Sequence, residues 1–147
     1  MEHEKEKGLD QKHVMEHFQH PDKFGEWMGY RIEGFDTENK KAVTGLSIRE
    51  DHLSPAGKVH GGVISGFLDY ACGAAVFTTM GKGDFCSTVE LKVNYLRPIN
   101  LGDEIKGKTA IIFEGKKICV VHGFIYVNDS EKPSAMVTGT FNLVRAK

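Results

Sequence analysis

The stretch VHGGVISGFLDYACGAA, Val59 to Ala75, decides the fold. Val63, Phe67, Tyr70, Ala74 and Phe77 recur at three- and four-residue steps, which predicts a helix over 61–79. Gly61, Gly62, Gly66, Ala71, Gly73, Ala74 and Ala75 make much of its surface small. Such a helix is weak on its own, since each interior glycine costs about 1 kcal/mol relative to alanine. Tertiary packing must compensate, and a sheet wrapped closely around the helix supplies it.

The flanking sequence provides that sheet. Upstream, residues 1–8 are charged and read as a disordered tail. Residues 9–20 read as a short helix carrying Leu9, Val14 and Phe18, ended by Pro21. The segment FGEWMGYRIEGFD, with Trp27, Tyr30, Ile32 and Phe35, leads into a first strand, and DTENKK (36–41) turns. Residues 42–50 alternate by two and read as a strand, followed by a loop over 51–58 punctuated by Pro55 and Gly57.

Downstream, FCSTVELKVNYLRP puts Phe85, Val89, Leu91, Val93 and Tyr95 at odd positions, opposite polar Thr88, Glu90, Lys92 and Asn94. That alternation predicts a half-buried strand. Further strands follow at about 104–114, 118–127 and 134–144, separated by the turns EGKK and NDSEKP. Late strands joined by short turns argue for an antiparallel sheet, hence α+β and not α/β, in a single domain over 9–147.

The totals agree with one ordinary globular domain. The chain has 147 residues, 40% of them hydrophobic and 27% charged, with 19 basic against 20 acidic side chains. A formal charge of -1 gives no overall field favouring nucleic acid or anionic lipid, and no helix-turn-helix segment or basic stripe is visible. Cys72, Cys86 and Cys119 are odd in number and form no CxxC pair, so neither a zinc site nor a disulfide framework is expected. With no apolar leader and no 18-residue apolar run, a cytoplasmic protein without a membrane span is the expectation. HVMEH (His13–His17) matches a zinc-peptidase pattern, but no later glutamate completes it, and a solvated helix face is the better reading. His3, His20, His52 and His122 read as surface or strand positions.

Two features of the opening stretch carry chemistry. His60-Gly61-Gly62 stands at the helix start, where the first N–H groups lack internal partners and lie at the positive end of the macrodipole. A ligand oxygen can approach a glycine backbone closely, and an N–H aimed at a forming oxyanion is worth about 3–4 kcal/mol. The plain alternative is a glycine-softened junction. Asp69, nine residues past His60, has Gly62, Ser65, Gly66, Cys72 and Gly73 as neighbours on one helical face. Those small groups predict a groove beside a carboxylate suited to act as general base or nucleophile. Its plain alternative is a structural aspartate.

Gly61 and Asp69 are ~12 Å apart along a helix, whereas a base must sit within ~3–3.5 Å of the carbon it serves, directly or through one water. A site using both residues therefore combines Gly61 of one subunit with Asp69 of another, which predicts a dimer with two interface sites. Ser87 or Thr88 is positioned to orient a water, against the alternative of a β-favouring surface threonine. Arg97, Lys116 and Lys117 are candidate phosphate contacts, against the alternative of solvated surface charge.

With these residues in view, the chain resembles PaaI-like hotdog acyl-CoA thioesterases of the 4HBT superfamily. VHGGVISGFLDYACGAA, the approach GLSIREDHLSPAGKVHGG and the block VELKVNYLRP carry the resemblance, which runs from about residue 25 to the end. It implies a long helix wrapped by an antiparallel sheet of five to six strands, in dimers or dimer-of-dimers tetramers. It implies that Gly61 N–H polarises the thioester carbonyl, that Asp69 is base or nucleophile, that Thr88 helps hold the water and that His60 supports the loop or the thioester. The implied reaction is hydrolysis of an acyl-CoA to free acid and CoA, with no metal or cofactor.

Gly62 and Ser54 are placed beside the substrate by the same resemblance. Many relatives carry Asn or Gln six residues before the histidine, where this chain has Ser54, which lacks the amide donor. That departure leaves a non-catalytic acyl-CoA-binding protein as the second reading. A hotdog dehydratase is disfavoured, because KVHGG lacks the spacing and the proline-rich histidine loop of those relatives.

Overall fold

The computed structural model describes residues 22–147. The charged tail, the helix read over 9–20 and the HVMEH motif lie outside the described residues. The elements run α1 (Lys23–Met28), β1 (Arg31–Asp36), β2 (Lys41–Ser47), a 3-10 turn (Glu50–His52), α2 (Gly61–Phe77), β3 (Phe85–Tyr95), β4 (Glu104–Glu114), β5 (Ile118–Val127) and β6 (Pro133–Val144). The six strands form one sheet in the order β1-β2-β4-β5-β6-β3, and every neighbouring pair is antiparallel. Strand β3 crosses over to the far edge, so the sheet curls around α2, which touches all six strands. This is the helix-in-sheet arrangement that the resemblance implied. Among the described residues no helix is long and apolar enough to cross a membrane.

The contacts that compensate the weak helix are specific. Phe67, Leu68, Ala71, Cys72, Ala74, Ala75 and Val76 are wholly buried. A Cβ built on Gly107 of β4 would lie 3.1 Å from both Ala71 Cβ and Phe67 Cε1, so helix and strand meet with no side chain between them. Thr109, also on β4, donates its hydroxyl to the Ala71 carbonyl at 2.8 Å. The helix ends at Phe77 and not at 79. Thr78 and Thr79 turn their hydroxyls back to the carbonyls of Ala75 and Val76, at 2.7 and 2.8 Å, and close the last turn.

Three sequence expectations change here. Instead of leading straight into a strand, the Trp27 segment forms α1, six residues fixed by a local cap at one end and by tertiary bonds at the other. Asp22 caps its first turn by accepting from Gly25 N–H at 2.9 Å. At the other end the Met28 carbonyl accepts from Arg49 Nη1 at 2.7 Å and from His52 Nε2 at 2.8 Å, and Gly29 takes the left-handed φ of 86°. His52 is accordingly no surface histidine. It is fully buried, and its Nδ1 accepts from Arg49 N–H at 3.1 Å.

The third change is in β3. Between Thr88 and Glu90 the pairing with β6 slips by one residue, leaving Val89 as a bulge. Side-chain phase flips across it. Cys86 and Thr88 before the bulge share the helix-facing side with Leu91, Val93 and Tyr95 after it. Phe85 and Val89, read from odd spacing as inward, are instead 54% and 61% exposed.

Candidate functional site

The residues 52–60 deliver His60 to the head of α2 as a tight excursion. Leu53 bridges Val59, Ser54 N–H donates to the Lys58 carbonyl at 2.7 Å, and Gly57 turns the chain with φ 78°. His60 N–H then donates to the His52 carbonyl at 2.8 Å, tying the excursion to the buried turn. His60 is the N-cap of α2, and its Nδ1 accepts from Gly62 N–H at 2.8 Å. The second amide of the helix is thus satisfied by the histidine. The first, Gly61 N–H, finds no acceptor among the described residues, and it sits at the positive end of a 17-residue helix. The Gly61 carbonyl in turn accepts from the Tyr95 hydroxyl at 3.2 Å.

Two turns along the same helix, Asp69 is half-buried and accepts a hydrogen bond from Thr88 Oγ1 at 2.6 Å. That length belongs to a charge-assisted bond to a carboxylate. It fixes the Asp69 rotamer and leaves one carboxylate oxygen, together with the lone pairs of Thr88, for a water. The bulge at Val89 makes the contact: without the phase flip, Thr88 would point away from the helix along with Glu90 and Lys92. Tyr30 stacks on Tyr70 beside this turn, ring centroids 3.6 Å apart, and its hydroxyl donates to Asp22. Burial raises the phenol pKa values of both tyrosines well above the ordinary range, so both rings stay neutral.

The predicted groove is divided. Gly66 receives Met28 and Phe24 of α1, whose atoms lie 3.1 Å from where a Cβ would stand. Cys72 is wholly buried on the sheet side, and Gly62 is exposed beneath His60. Only Gly73, one turn past Asp69, is buried with no atom within 4 Å of a built Cβ, which leaves space beside the helix there. The thiols offer no nucleophile. Burial first, then the charge of Asp69, pushes Cys72 up to about 12 and Cys86 up to about 11, so both are protonated at neutral pH.

The remaining candidates lie apart from one another. Arg97 follows the Tyr95 end of β3 and donates its guanidinium to the Pro133 carbonyl. Lys116 and Lys117 sit in the β4–β5 turn. Ile118 pairs with Asn142, which pairs with Ser87, so this turn is level with the other end of β3. A surface depression of about 320 Å³ lined by Lys106, Lys108, Tyr126, Asp129, Ser130 and Glu131 brings together none of the predicted residues. One contact that the sequence reading missed is the reach of Tyr95 to Gly61. Its position in VNYLRP marked it as an inward apolar residue, and no spacing rule announces a bond between a strand hydroxyl and a helix carbonyl.

Comparison with known proteins bears on the family and the fold. The family model of the thioesterase superfamily matches residues 56–134, which span the approach loop, α2 and the strands through the start of β6. A Saccharolobus solfataricus protein bearing the name "Putative esterase SSO2140" is 28% identical over 138 residues, covering 92% of this chain and 94% of that one. A crystal structure of a phenylacetic acid degradation-related protein from Ralstonia eutropha JMP134 superposes with a TM-score of 0.77 at 26% identity, covering 87% of this chain and 96% of that one. The E. coli PaaI protein of the phenylacetic acid degradation operon has the same fold, with a TM-score of 0.78 at 20% identity and 92% of each chain covered.

Proposed function

Since the chain belongs to the thioesterase superfamily and shares the hotdog fold of its PaaI-like structural neighbours, we propose that it hydrolyses an acyl-CoA thioester to the free acid and CoA at a site between two subunits. The observation that carries this reading is that Asp69, held by Thr88 of β3, lies on the same helix whose first N–H has no acceptor among the described residues. A carboxylate held by a hydroxyl at 2.6 Å is preset to take a proton from water. A bare helix N-terminal amide suits a carbonyl oxygen gaining charge. In the reaction the water oxygen bonds to the thioester carbon as Asp69 takes its proton. Gly61 N–H, with His60 holding the neighbouring amide, stabilises the oxyanion. Collapse of that intermediate breaks the carbon–sulfur bond, and the departing thiolate recovers the proton. Asp69 attacking the carbon directly is the variant of this scheme that the same geometry serves.

The eight-residue separation of Gly61 and Asp69 within α2 is what calls for a second subunit. Strand β3 supports it. It is an edge strand of eleven residues with Phe85, Val89 and Tyr95 exposed, and an open apolar edge is a template for pairing. The Tyr95 end of β3 lies by Gly61 and the Thr88 end by Asp69. Two such edges pairing antiparallel about a two-fold axis near Leu91 set the Gly61 corner of one subunit beside the partner's Asp69. The same axis brings Arg97 to the end of the sheet where the partner's Lys116 and the partner's Lys117 stand, a basic rim for CoA phosphates. Homodimers, or tetramers built from them, follow.

Ser54 favours a second reading, a protein that binds acyl-CoA without turnover, because a half-buried serine at this loop position presents no amide to the thioester. One experiment separates the two: thiol release from a panel of acyl-CoAs of varied length and aromaticity, for wild type and Asp69→Ala. Hydrolysis by wild type, lost in the variant while ligand binding persists, is the expected result. Binding of several members with hydrolysis of none overturns the enzyme reading.

A further inference from the structure

The peptide between Gly61 and Gly62 is gripped at both ends by side chains from outside the helix. Its N–H donates to His60 Nδ1 at 2.8 Å, and its carbonyl accepts from the Tyr95 hydroxyl at 3.2 Å. The Tyr95 ring also lies against Gly61, with Cε1 3.6 Å from where a Cβ would stand. Two successive glycines at a helix start are the least restrained backbone the chain can place there. The direction of Gly61 N–H depends on the plane of the peptide before it and on the torsions of Gly61 itself. Fixing the following peptide therefore removes the freedom that would let this donor wander.

We infer that Tyr95 is a positioning residue for the reaction proposed above: its hydroxyl and ring hold the Gly61–Gly62 peptide so that Gly61 N–H keeps its aim at the substrate carbonyl oxygen. The inference rests on that reading. It goes beyond it in tying the donor to β3, the strand that also supplies Thr88 to Asp69. Both ends of the site on one chain are then set by a single edge strand, one hydroxyl at each end. A small rotation of a donor is costly in an oxyanion site, because the bond is worth most at the oxygen position reached in the transition state.

The test is Tyr95→Phe, which keeps the ring and deletes the hydroxyl. Steady-state hydrolysis of the acyl-CoA panel and amide hydrogen exchange at Gly62, followed by NMR, are the two readouts. Tyr126→Phe, on the outward-facing row of β5, controls for the loss of a tyrosine hydroxyl as such. The expected result is kcat lowered about three- to tenfold, the size of one hydrogen bond, with KM held within about twofold. Gly62 exchange is faster in Tyr95→Phe, and Tyr126→Phe matches wild type. A merely structural tyrosine would lower the melting temperature or the active fraction without separating kcat from KM in a folded sample. Wild-type kcat in Tyr95→Phe, or unchanged Gly62 exchange, overturns the inference while leaving the thioesterase reading in place. A wild-type protein that hydrolyses no member of the panel overturns that reading and the positioning role with it.

Discussion

Combine a subunit carrying Gly61→Val with one carrying Asp69→Ala, and the geometry of α2 fixes how much activity returns. Each variant alone is inactive: the first blocks approach to the amide, and the second lacks the carboxylate. Within one helix the two positions are ~12 Å apart, too far to serve one carbon. If each site takes its amide from one subunit and its acid from the other, a mixed dimer has one site with both defects and one with neither. Random mixing at equal amounts makes half the dimers mixed, with one working site of two, so about a quarter of wild-type kcat returns under two-fold symmetry. The fold has room for a side chain here, since the nearest atoms to a Cβ at Gly61 are the Tyr95 ring and hydroxyl at ordinary contact distances of 3.6–3.7 Å. The assay is thiol release after co-expression or joint refolding, with melting temperatures of both parents checked first. Recovery of no activity in a verified heterodimer refutes the shared site, because a site contained in one chain would be dead in both halves.

Two further outcomes test the fold around the site. Gly107→Ala places a methyl 2.6 Å from Thr44 Oγ1 and 3.1 Å from Ala71 and Phe67, so helix and sheet must part. Overpacking of this kind costs about 1–3 kcal/mol and lowers the melting temperature by roughly 3–10 °C by calorimetry; a shift under about 1 °C contradicts the close approach. His52 has its pKa lowered, chiefly by burial, and its Nδ1 faces an N–H donor, so a proton there has no acceptor. The unfolded chain then binds more protons below the unfolded value of about 6.5, and stability falls as pH drops through that value while staying flat above it. Denaturant melts at pH 8 and 5.5 will show a smaller loss for His52→Gln than for wild type, and equal losses would contradict the neutral buried role.

The helix was legible because thirteen residues from Val59 to Ala71 already hold a histidine, three glycines and an apolar row at helical steps. Strands β4 and β5 were legible to the residue, since their turns carry glycine and charge between clean apolar runs. What escaped were features made by partners distant in sequence. A six-residue helix is too short to announce itself by propensity, and the end of α1 is fixed by Arg49 and His52, more than twenty residues away. Strict alternation along β3 predicted its faces correctly only beyond Val89, because a bulge is a property of the pairing with β6 and not of either strand alone. For the same reason Asp69 and Thr88 were named separately, and their contact was visible only once the strands were paired.

The extra residue in β3 also changes which kind of mutation the site can survive. Most substitutions at Val89, a solvent-facing position, leave the ladder as it is. Deleting it would close the ladder into a regular pleat, with Thr88 still opposite Phe141 and Glu90 still opposite Thr140, so the Thr88 hydroxyl would keep facing the helix. Forcing plain alternation on all eleven residues is what would turn that hydroxyl outward and the Phe85 ring inward. What the site requires of this strand is therefore a parity and not a length: Thr88 and Leu91 must share a face, which three residue steps achieve only through a hitch and two steps achieve by plain alternation.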